Sequence, residues 1–532
     1  MGGIIPEFTI RQLVDDFNND IISIPVFQRE FVWSDYQIVT LAESIYKGYP
    51  IGIVIFYEWG EEGRKQYKVL DGQQRLLSMV IMREGEVETE TGKRSLTIWF
   101  NVRTEEFKAS TYRPGSEWVR LSEVIKSEPE KLVEIASRVS QESGIEVNRV
   151  LAKLNRLWMK FNDYKVQVFT IPQDADLDAL GEIFVRVNFA GTRVRSADIN
   201  YTMLAIADEN IARLMRSFYH ELANGTLPEL QGYEWDLDYS VIVRTFLTFL
   251  SEGRVRLESM VLRQAEALKR LLRERASKLP EIWELTRNSL LEAIKLLMDD
   301  SLLAIKSTSS RFLITQAPLI VMAYYIGRKY FVEGKEIPDS EKLGLMGWFL
   351  LASYYRRFSG APDTRLNEDL RVIVKRGDYK DLAGNLRRQV GELRITMETY
   401  RGGGADKQLL LYAALRSQRA TDFDDRSVLI NGTNASVHHI FPVNIVGGRY
   451  SRGKVNDVAN ITFVLSSTNE RLGRQRPANY LRRLPSEVLK AHLIPMGESL
   501  WHEEKFEDFL EERRRLIVEC INDHLRRAGI VK

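Results

Sequence analysis

Residues 67–80 read YKVLDGQQRLLSMV. A strand-like run ends at Leu70, Asp71-Gly72 makes a tight turn, and a helical run opens at Gln73. This strand-turn-helix order decides the class of the N-terminal region, because its neighbours read the same way. Thr9–Phe17 reads as a helix. A second helix opens at Ser34 with an S34-x-x-Q37 capping box, carries Ile38, Leu41, Ala42 and Ile45 on one face, and stops at Gly48-Tyr49-Pro50. IGIVIFY at 51–57 is β-branched and aromatic and reads as a buried strand, with Leu96–Phe100 and Lys165–Ile171 as further strands. Residues 1–200 are therefore expected to form an α+β domain.

Beyond it the pattern turns helical over 201–400. Leu285–Ser307, Phe312–Phe331 and Lys342–Phe358 carry apolar residues at three- and four-residue spacing. Arg401-Gly402-Gly403-Gly404 punctuates the chain as the expected linker. Residues 401–532 then hold a short helix (Gln408–Arg416), a strand (Ser427–Ile430), a turn at Asn431-Gly432, and a charged amphipathic helix over 500–527. The expectation is a multidomain α+β chain with a helical middle.

With 532 residues, 44% hydrophobic and 28% charged, the chain has apolar material for several cores, and disorder is excluded. Lys+Arg 75 against Asp+Glu 73 leaves +2 overall, so any nucleic-acid surface must be local. The single cysteine, Cys520, excludes an intramolecular disulfide framework and a CxxC zinc site. The N-terminus has neither a basic segment nor a long apolar one, and Pro6 stands where myristoylation wants Ser or Thr. The longest apolar run, Phe312–Gly327, is 16 residues and is broken by Gln316 and Pro318, against the ~20 that cross a bilayer. A soluble cytoplasmic protein with no membrane partner is expected.

Histidine is scarce, at six residues, yet two are adjacent in VHHIFP at 437–442. On a strand such a doublet points to opposite faces, one ring buried and one solvated, and alone it need mean no more. Downstream, VANITFVLSSTNERLG places Asn460 at the edge of an apolar run and Asn469 beyond it. A hairpin followed by a helix would bring the Asn469 amide oxygen near His438. That nitrogen and oxygen set suits Mg2+ or Mn2+ rather than a closed zinc site, and His439 could then act as a general base on water. Between Arg426 and Lys490 ten Lys/Arg face three acids, a local +7 that favours a polyanion over a merely solvated face.

The Asp71-Gly72 turn offers a second site. The free N–H groups at the start of the following helix attract anions, and Arg75 can add a charge-assisted bond. D-G-x-x-R is equally what a helix cap with an internal salt bridge would give. No GxxxxGK[ST] occurs, so a P-loop is excluded.

Taken in order, IPVFQREFVW (24–33), DGQQR (71–75), IFVRVNFAGTRVRSADIN (183–200), FSGAPDTRLNEDL (358–370), VHHIFP, ANITF and STNERLG resemble the GmrSD-type modification-dependent (type IV) restriction endonucleases over nearly the whole chain. The resemblance implies a ParB/sulfiredoxin-like nucleotide-binding domain over 1–200, a helical linking domain over 201–400, and an HNH (ββα-metal) nuclease domain over 401–532. By position it makes His438 and Asn469 metal ligands, His439 the catalytic base and Asn460 its orienting partner. It puts Asp71, Gly72, Gln73, Gln74 and Arg75 in a nucleoside triphosphate pocket, with Gln28, Arg29, Arg186 and Asn188. The implied activity is nucleotide-regulated cutting of modified double-stranded DNA in phage defence, by a homodimer, with Mg2+ or Mn2+. Having His rather than Asp at 438 leaves that metal site one negative charge poorer. A non-cleaving, nucleotide-gated DNA switch and an RNA-directed nuclease are the alternatives.

Overall fold

The computed structural model describes residues 7–24, 31–59, 66–89, 92–172, 204, 208–253, 263–308 and 310–531. Gln28, Arg29, Arg186 and Asn188 lie outside them. The chain divides into two compact units, Met1–Ala212 with Val261–Lys269 and Arg213–Met260 with Arg270–Lys532.

The first unit opens with β1 (Glu7–Thr9), α1 (Ile10–Asn18), β2 (Ile22–Ser23), α2 (Asp35–Lys47), β3 (Val54–Trp59), β4 (Gln66–Asp71) and α3 (Gln73–Glu84). Both leading helices start on capping boxes, Thr9 with Gln12 and Ser34 with Gln37, so their first N–H groups are satisfied locally. Gly48 ends α2 in the left-handed region at φ 74°, which costs glycine little. β5 (Glu86–Thr89) pairs with β6 (Gly92–Ser95), while β7 (Ile98–Asn101) is flanked by β8 (Phe107–Ala109) and β9 (Trp118–Arg120). Helices α4 (Leu121–Lys126), α5 (Pro129–Ser143) and α6 (Val147–Asn162) lead to β10 (Lys165–Ile171). The main sheet runs β1-β10-β3-β4-β2, with β10 parallel to β3 and β3 antiparallel to β4. Val54 and Phe56 of β3 and Val69 of β4 join Leu76, Met79 and Val80 of α3 in one core. This packing fixes the start of α3 at the end of the interior strand β4.

α7 (Glu209–Ala223) spans the division between the units, and α9 (Arg263–Glu274) spans it again after α8 (Tyr239–Leu250). In the second unit follow α10 (Leu279–Met298), α11 (Ala317–Ile326), α12 (Asp339–Tyr354), α13 (Pro362–Arg376), α14 (Tyr379–Val390) and α15 (Ala405–Ser417). α11 is apolar and buried all round, so the long apolar run is a core helix. No helix among the described residues is long and apolar enough to cross a membrane.

Several expected boundaries shift for physical reasons. The helix expected over Leu285–Ser307 starts at Leu279 and ends at Met298, where Asp299 Oδ1 takes the Ser301 N–H and turns the chain. The helix expected from Phe312 starts at Ala317, which puts Pro318 in its first turn, where its missing N–H costs nothing. The strand expected over Ser427–Ile430 reduces to a bridge between Leu429 and Thr421, because Asp422 and Asp425 side chains capture the local N–H groups. The glycines expected as a linker are tied down: Gly402 donates to Asp457 and accepts from the Val458 N–H.

The C-terminal stretch carries β11 (Ser436–His439), α16 (Val443–Val446), α17 (Arg452–Val455), β12 (Ile461–Val464), α18 (Ser466–Leu472), α19 (Pro477–Leu481), α20 (Ser486–Ala491) and α21 (Phe506–Arg527). β11 and β12 pair antiparallel with His438 opposite Thr462 and His439 opposite Ile461. α18 follows at once, so strand, strand and helix form one small module. Its core is aromatic and aliphatic, with Phe441 packed on Phe506 and Phe509.

Candidate functional site

Successive side chains on a strand face opposite ways, and β11 uses this to separate its two histidines. His438 points inward and is 2% exposed. Its Nδ1 lies 2.9 Å from Asn469 Oδ1 on α18, and its Nε2 lies 3.2 Å from the Tyr480 hydroxyl. Asn469 donates its amide N–H groups to Val437 O and Ser436 Oγ, which turns its oxygen toward the ring. Burial holds His438 neutral, with its pKa lowered to about 4.

α18 is itself anchored from below. Asp422, fully buried, accepts the Leu465 N–H at the helix start and the Thr468 hydroxyl within it. Burial pushes the Asp422 carboxyl up, but the bonds from Thr468 and the backbone of Leu465, Asp425 and Asp424 outweigh it and leave its pKa below the usual range. Beneath β12 the buried Arg513 donates to the carbonyls of Ala459, Ile461 and His492. The pair His438–Asn469 is thus held by strand register on one side and a carboxylate-capped helix on the other.

His439, half-buried, faces the other way. Its Nε2 lies 3.0 Å from Asn456 Oδ1. An amide oxygen only accepts, so Nε2 carries the proton and Nδ1 keeps its lone pair. Asn456 is fixed by its neighbour Asp457, whose buried carboxylate pairs with Arg514 at 2.9 Å and accepts the N–H groups of Gly402 and Ala459. Asn460, assigned the orienting role by resemblance, makes different contacts. Its oxygen accepts the Phe441 N–H and its amide donates to Phe441 O and Val455 O. Fully buried, it closes the loop between β11 and β12, and the amide on His439 is that of Asn456. Sequence reasoning passed over Asn456. The available signal was its place next to Asp457 in an otherwise apolar V-N-D-V-A-N run.

Among the described residues no cluster of three or more His, Cys, Asp or Glu could hold a metal. The His438–Asn469 pair nonetheless suits a divalent cation. Its nitrogen and oxygen, now joined by a 2.9 Å hydrogen bond, are the two protein atoms that would hold it. With Nδ1 given to a cation, the ring would carry its proton on Nε2, within reach of Tyr480, whose hydroxyl donates to Ile440 O at 3.0 Å. Every group in that chain is satisfied. Around the module Arg426, Arg449, Arg452, Arg474, Arg483 and Lys490 are exposed and free of ion pairs among the described residues.

In the first unit, Gly72 takes φ 92° at the start of α3, and a Cβ there would lie 3.0 Å from Val54. Arg75 is clamped: it pairs with Asp71 at 2.9 Å and donates to the carbonyls of Ile51 and Ile53. Gln74 Oε1 accepts the N–H groups of Val32 and Trp33. Gln73 is 8% exposed, and its buried Oε1 has no hydrogen-bond partner among the described residues. The first intrahelical bond of α3 runs from the Leu76 N–H to Gly72 O. The helix-cap-and-salt-bridge arrangement is therefore present, and beside it stands an unpartnered buried amide oxygen.

Comparison with known proteins bears on this unit. Residues 10–202 match the model of the GmrSD restriction endonuclease N-terminal domain. The matched segment contains the Asp71–Arg75 turn and strands β2, β3, β4 and β10 of the main sheet. Over 579 aligned residues, 94% of this chain and 96% of the other, the sequence is also 18% identical to the uncharacterized protein MJ0686 of Methanocaldococcus jannaschii. The similarity thus runs through both units.

Proposed function

We propose that this protein is a DNA endonuclease of the GmrSD type, acting on modified double-stranded DNA in phage defence under nucleotide control. The observation that carries the proposal is the paired geometry on one ββα module: His439 held by Asn456 on one face, His438 with Asn469 on the other. The match of residues 10–202 to a restriction-endonuclease domain supports the same reading, and the unpaired cations suit a polyanion.

In this reading His439 Nδ1 takes a proton from water, and the hydroxide so formed attacks phosphorus. The P–O bond to the leaving oxygen breaks, and that oxygen is reprotonated from solvent. Asn456 keeps the proton on Nε2, so the basic nitrogen always faces the substrate. His438 and Asn469 would hold Mg2+ or Mn2+, which supplies charge stabilisation at the phosphate and the leaving oxygen. Lacking a carboxylate, the site would draw its remaining ligands from water and phosphate, and its affinity would be modest.

The Asp71–Arg75 turn is the proposed nucleoside triphosphate site. Gly72 allows close approach, the N-terminal N–H groups of α3 face the phosphates, and Gln73 Oε1 is a free acceptor for a donor on the base or ribose. Arg75 orders the turn from beneath, and Gln28, Arg29, Arg186 and Asn188 remain proposed contacts.

The test is digestion of unmodified, methylated, hydroxymethylated, glucosylated and phosphorothioate DNA, and of RNA, with Mg2+ or Mn2+, with and without nucleotide. Cutting of a modified DNA that changes with nucleotide and is lost in His439→Ala is the expected result. NTP hydrolysis without cutting would favour the non-cleaving switch, and preferential RNA cleavage would favour the RNA nuclease.

A further inference from the structure

The stretch FSGAPDTRLNEDL at 358–370 has no part in the chemistry above, yet it builds a cavity. Arg357, just before it, is 0% exposed and forms a fork with Asp369, Nε–Oδ2 2.6 Å and Nη2–Oδ1 2.7 Å, with Gln389 on its third nitrogen. This buried pair pins the turn that leaves α12, where Phe358 is buried and the Arg356 side chain is 70% exposed.

They line a cavity of about 410 Å3 together with Ser353 at the end of α12, Ile314 and Thr315 ahead of α11, and Asp406 in the first turn of α15. One of its polar groups is unmet. Ser353 is 1% exposed and its Oγ has no hydrogen-bond partner among the described residues. The Asp406 side chain is 15% exposed, and its nearest cation is Arg356 Nη2 at 3.6 Å, beyond hydrogen-bond reach. Arg356 holds φ 48°, a left-handed position unfavourable for a non-glycine residue. A buried hydroxyl without a partner is expensive, and here it stands beside a carboxylate and a largely exposed guanidinium.

A carboxylate next to a guanidinium is the wrong lining for a phosphate, which the carboxylate repels. It is the right lining for a flat ring that presents an amino donor beside a ring acceptor. Asp406 accepts from the amino group and Arg356 donates to the ring nitrogen or oxygen, while Ile314 and Phe358 cover apolar surface. We propose that this cavity receives an amino-bearing nucleobase extruded from bound DNA. The inference rests on the DNA-endonuclease reading and gives it a base-recognition site.

The cavity and the proposed catalytic base are close in the chain. Asp406 lies four residues beyond Gly402, whose N–H is held by Asp457, and Asp457 adjoins the Asn456 that holds His439. Four residues span at most ~14 Å. Under the proposal both engage one strand, with an extruded base in the cavity and a phosphate of the same strand at His439. Extrusion is how enzymes reach base atoms that a duplex hides.

The experiment uses the full chain and duplex DNA carrying 2-aminopurine, an amino-bearing base whose emission is quenched by stacking. Binding and emission are measured without divalent cation, cutting is measured with it, and adenosine and cytidine are tried as free competitors. Wild-type protein should raise the emission several-fold on binding. Asp406→Asn and Arg356→Ala should each weaken that response about 10-fold or more, with melting temperature unchanged to show that they fold. If DNA is bound and cut with no rise in emission, or if both variants keep the rise, the base site is refuted while the nuclease reading stands. If nucleosides bind the cavity but DNA gives no emission, the site serves free nucleosides and the extrusion claim falls. If DNA is neither bound nor cut, the nuclease reading fails and takes this inference with it.

Discussion

His439 Nε2 stands 3.0 Å from the side-chain oxygen of Asn456, four residues ahead of the asparagine that resemblance assigns to it. The contact fixes the tautomer of the proposed base. Asn456→Ala should lower kcat on the order of 10–100-fold with little change in KM. Asn456→Asp keeps the acceptor but adds a charge that stabilises the imidazolium, so the acidic limb of the pH–rate profile should move to higher pH. A profile identical to wild type in Asn456→Asp would remove Asn456 from this role.

Gln73 separates ligand binding from stability. Its Oε1 is buried and unpaired among the described residues, so Gln73→Met should leave the melting temperature unchanged or raise it. Nucleotide affinity should fall about 10-fold, measured by titration calorimetry. A destabilised Gln73→Met with normal nucleotide binding would make the residue structural. Gly72→Ala differs: at φ 92° and against Val54 it should destabilise the first unit by about 1–3 kcal/mol.

His492 and His524 give the protein an acid limit. Burial lowers both to about 4 from 6.5. The unfolded chain takes up these protons below pH 6.5 while the folded one refuses them until about 4, so acidification favours unfolding. Stability is full above pH 6.5 and is lost progressively toward pH 4. His492, fully buried between Thr462 and Thr421, should dominate. Thermal melts in His492→Gln should show a shallower pH dependence than wild type, and equal slopes would contradict this.

The unpaired cations of the second unit predict a salt slope. Each phosphate neutralised contributes about −0.9 to the slope of log affinity against log salt. Arg474→Glu with Arg483→Glu should make that slope less negative by about 2 and weaken binding to modified and unmodified DNA alike. An unchanged slope would place the DNA elsewhere.

Much of this was legible in the sequence, and the parts that were not have physical causes. Capping boxes at Thr9 and Ser34 and the Gly48 stop are local codes, so α1 and α2 fall close to expectation. Lys165–Ile171 reads and folds as a strand because its alternation is plain. The Leu285–Ser307 reading ran past its end because apolar content continues after Asp299 turns the chain, and the Phe312–Phe331 reading began early because apolar residues precede the helix that holds Pro318 in its first turn. The pairing of His438 with Asn469 follows from a hairpin and a helix in sequence order. Asn456 and the Asp406–Arg356 cavity were hidden, since both depend on loops folded against distant segments: Asn456 by Gly402 and Arg514, the cavity by the buried Arg357–Asp369 fork.

The most direct measurement is cleavage of modified phage DNA by wild type, His439→Ala and Asn456→Ala, with Mg2+ or Mn2+ and nucleotide. Wild type should cut, His439→Ala should lose on the order of 10²–10⁴-fold in rate, and Asn456→Ala should fall between. Cutting by His439→Ala at the wild-type rate would contradict the assignment of this histidine as the base.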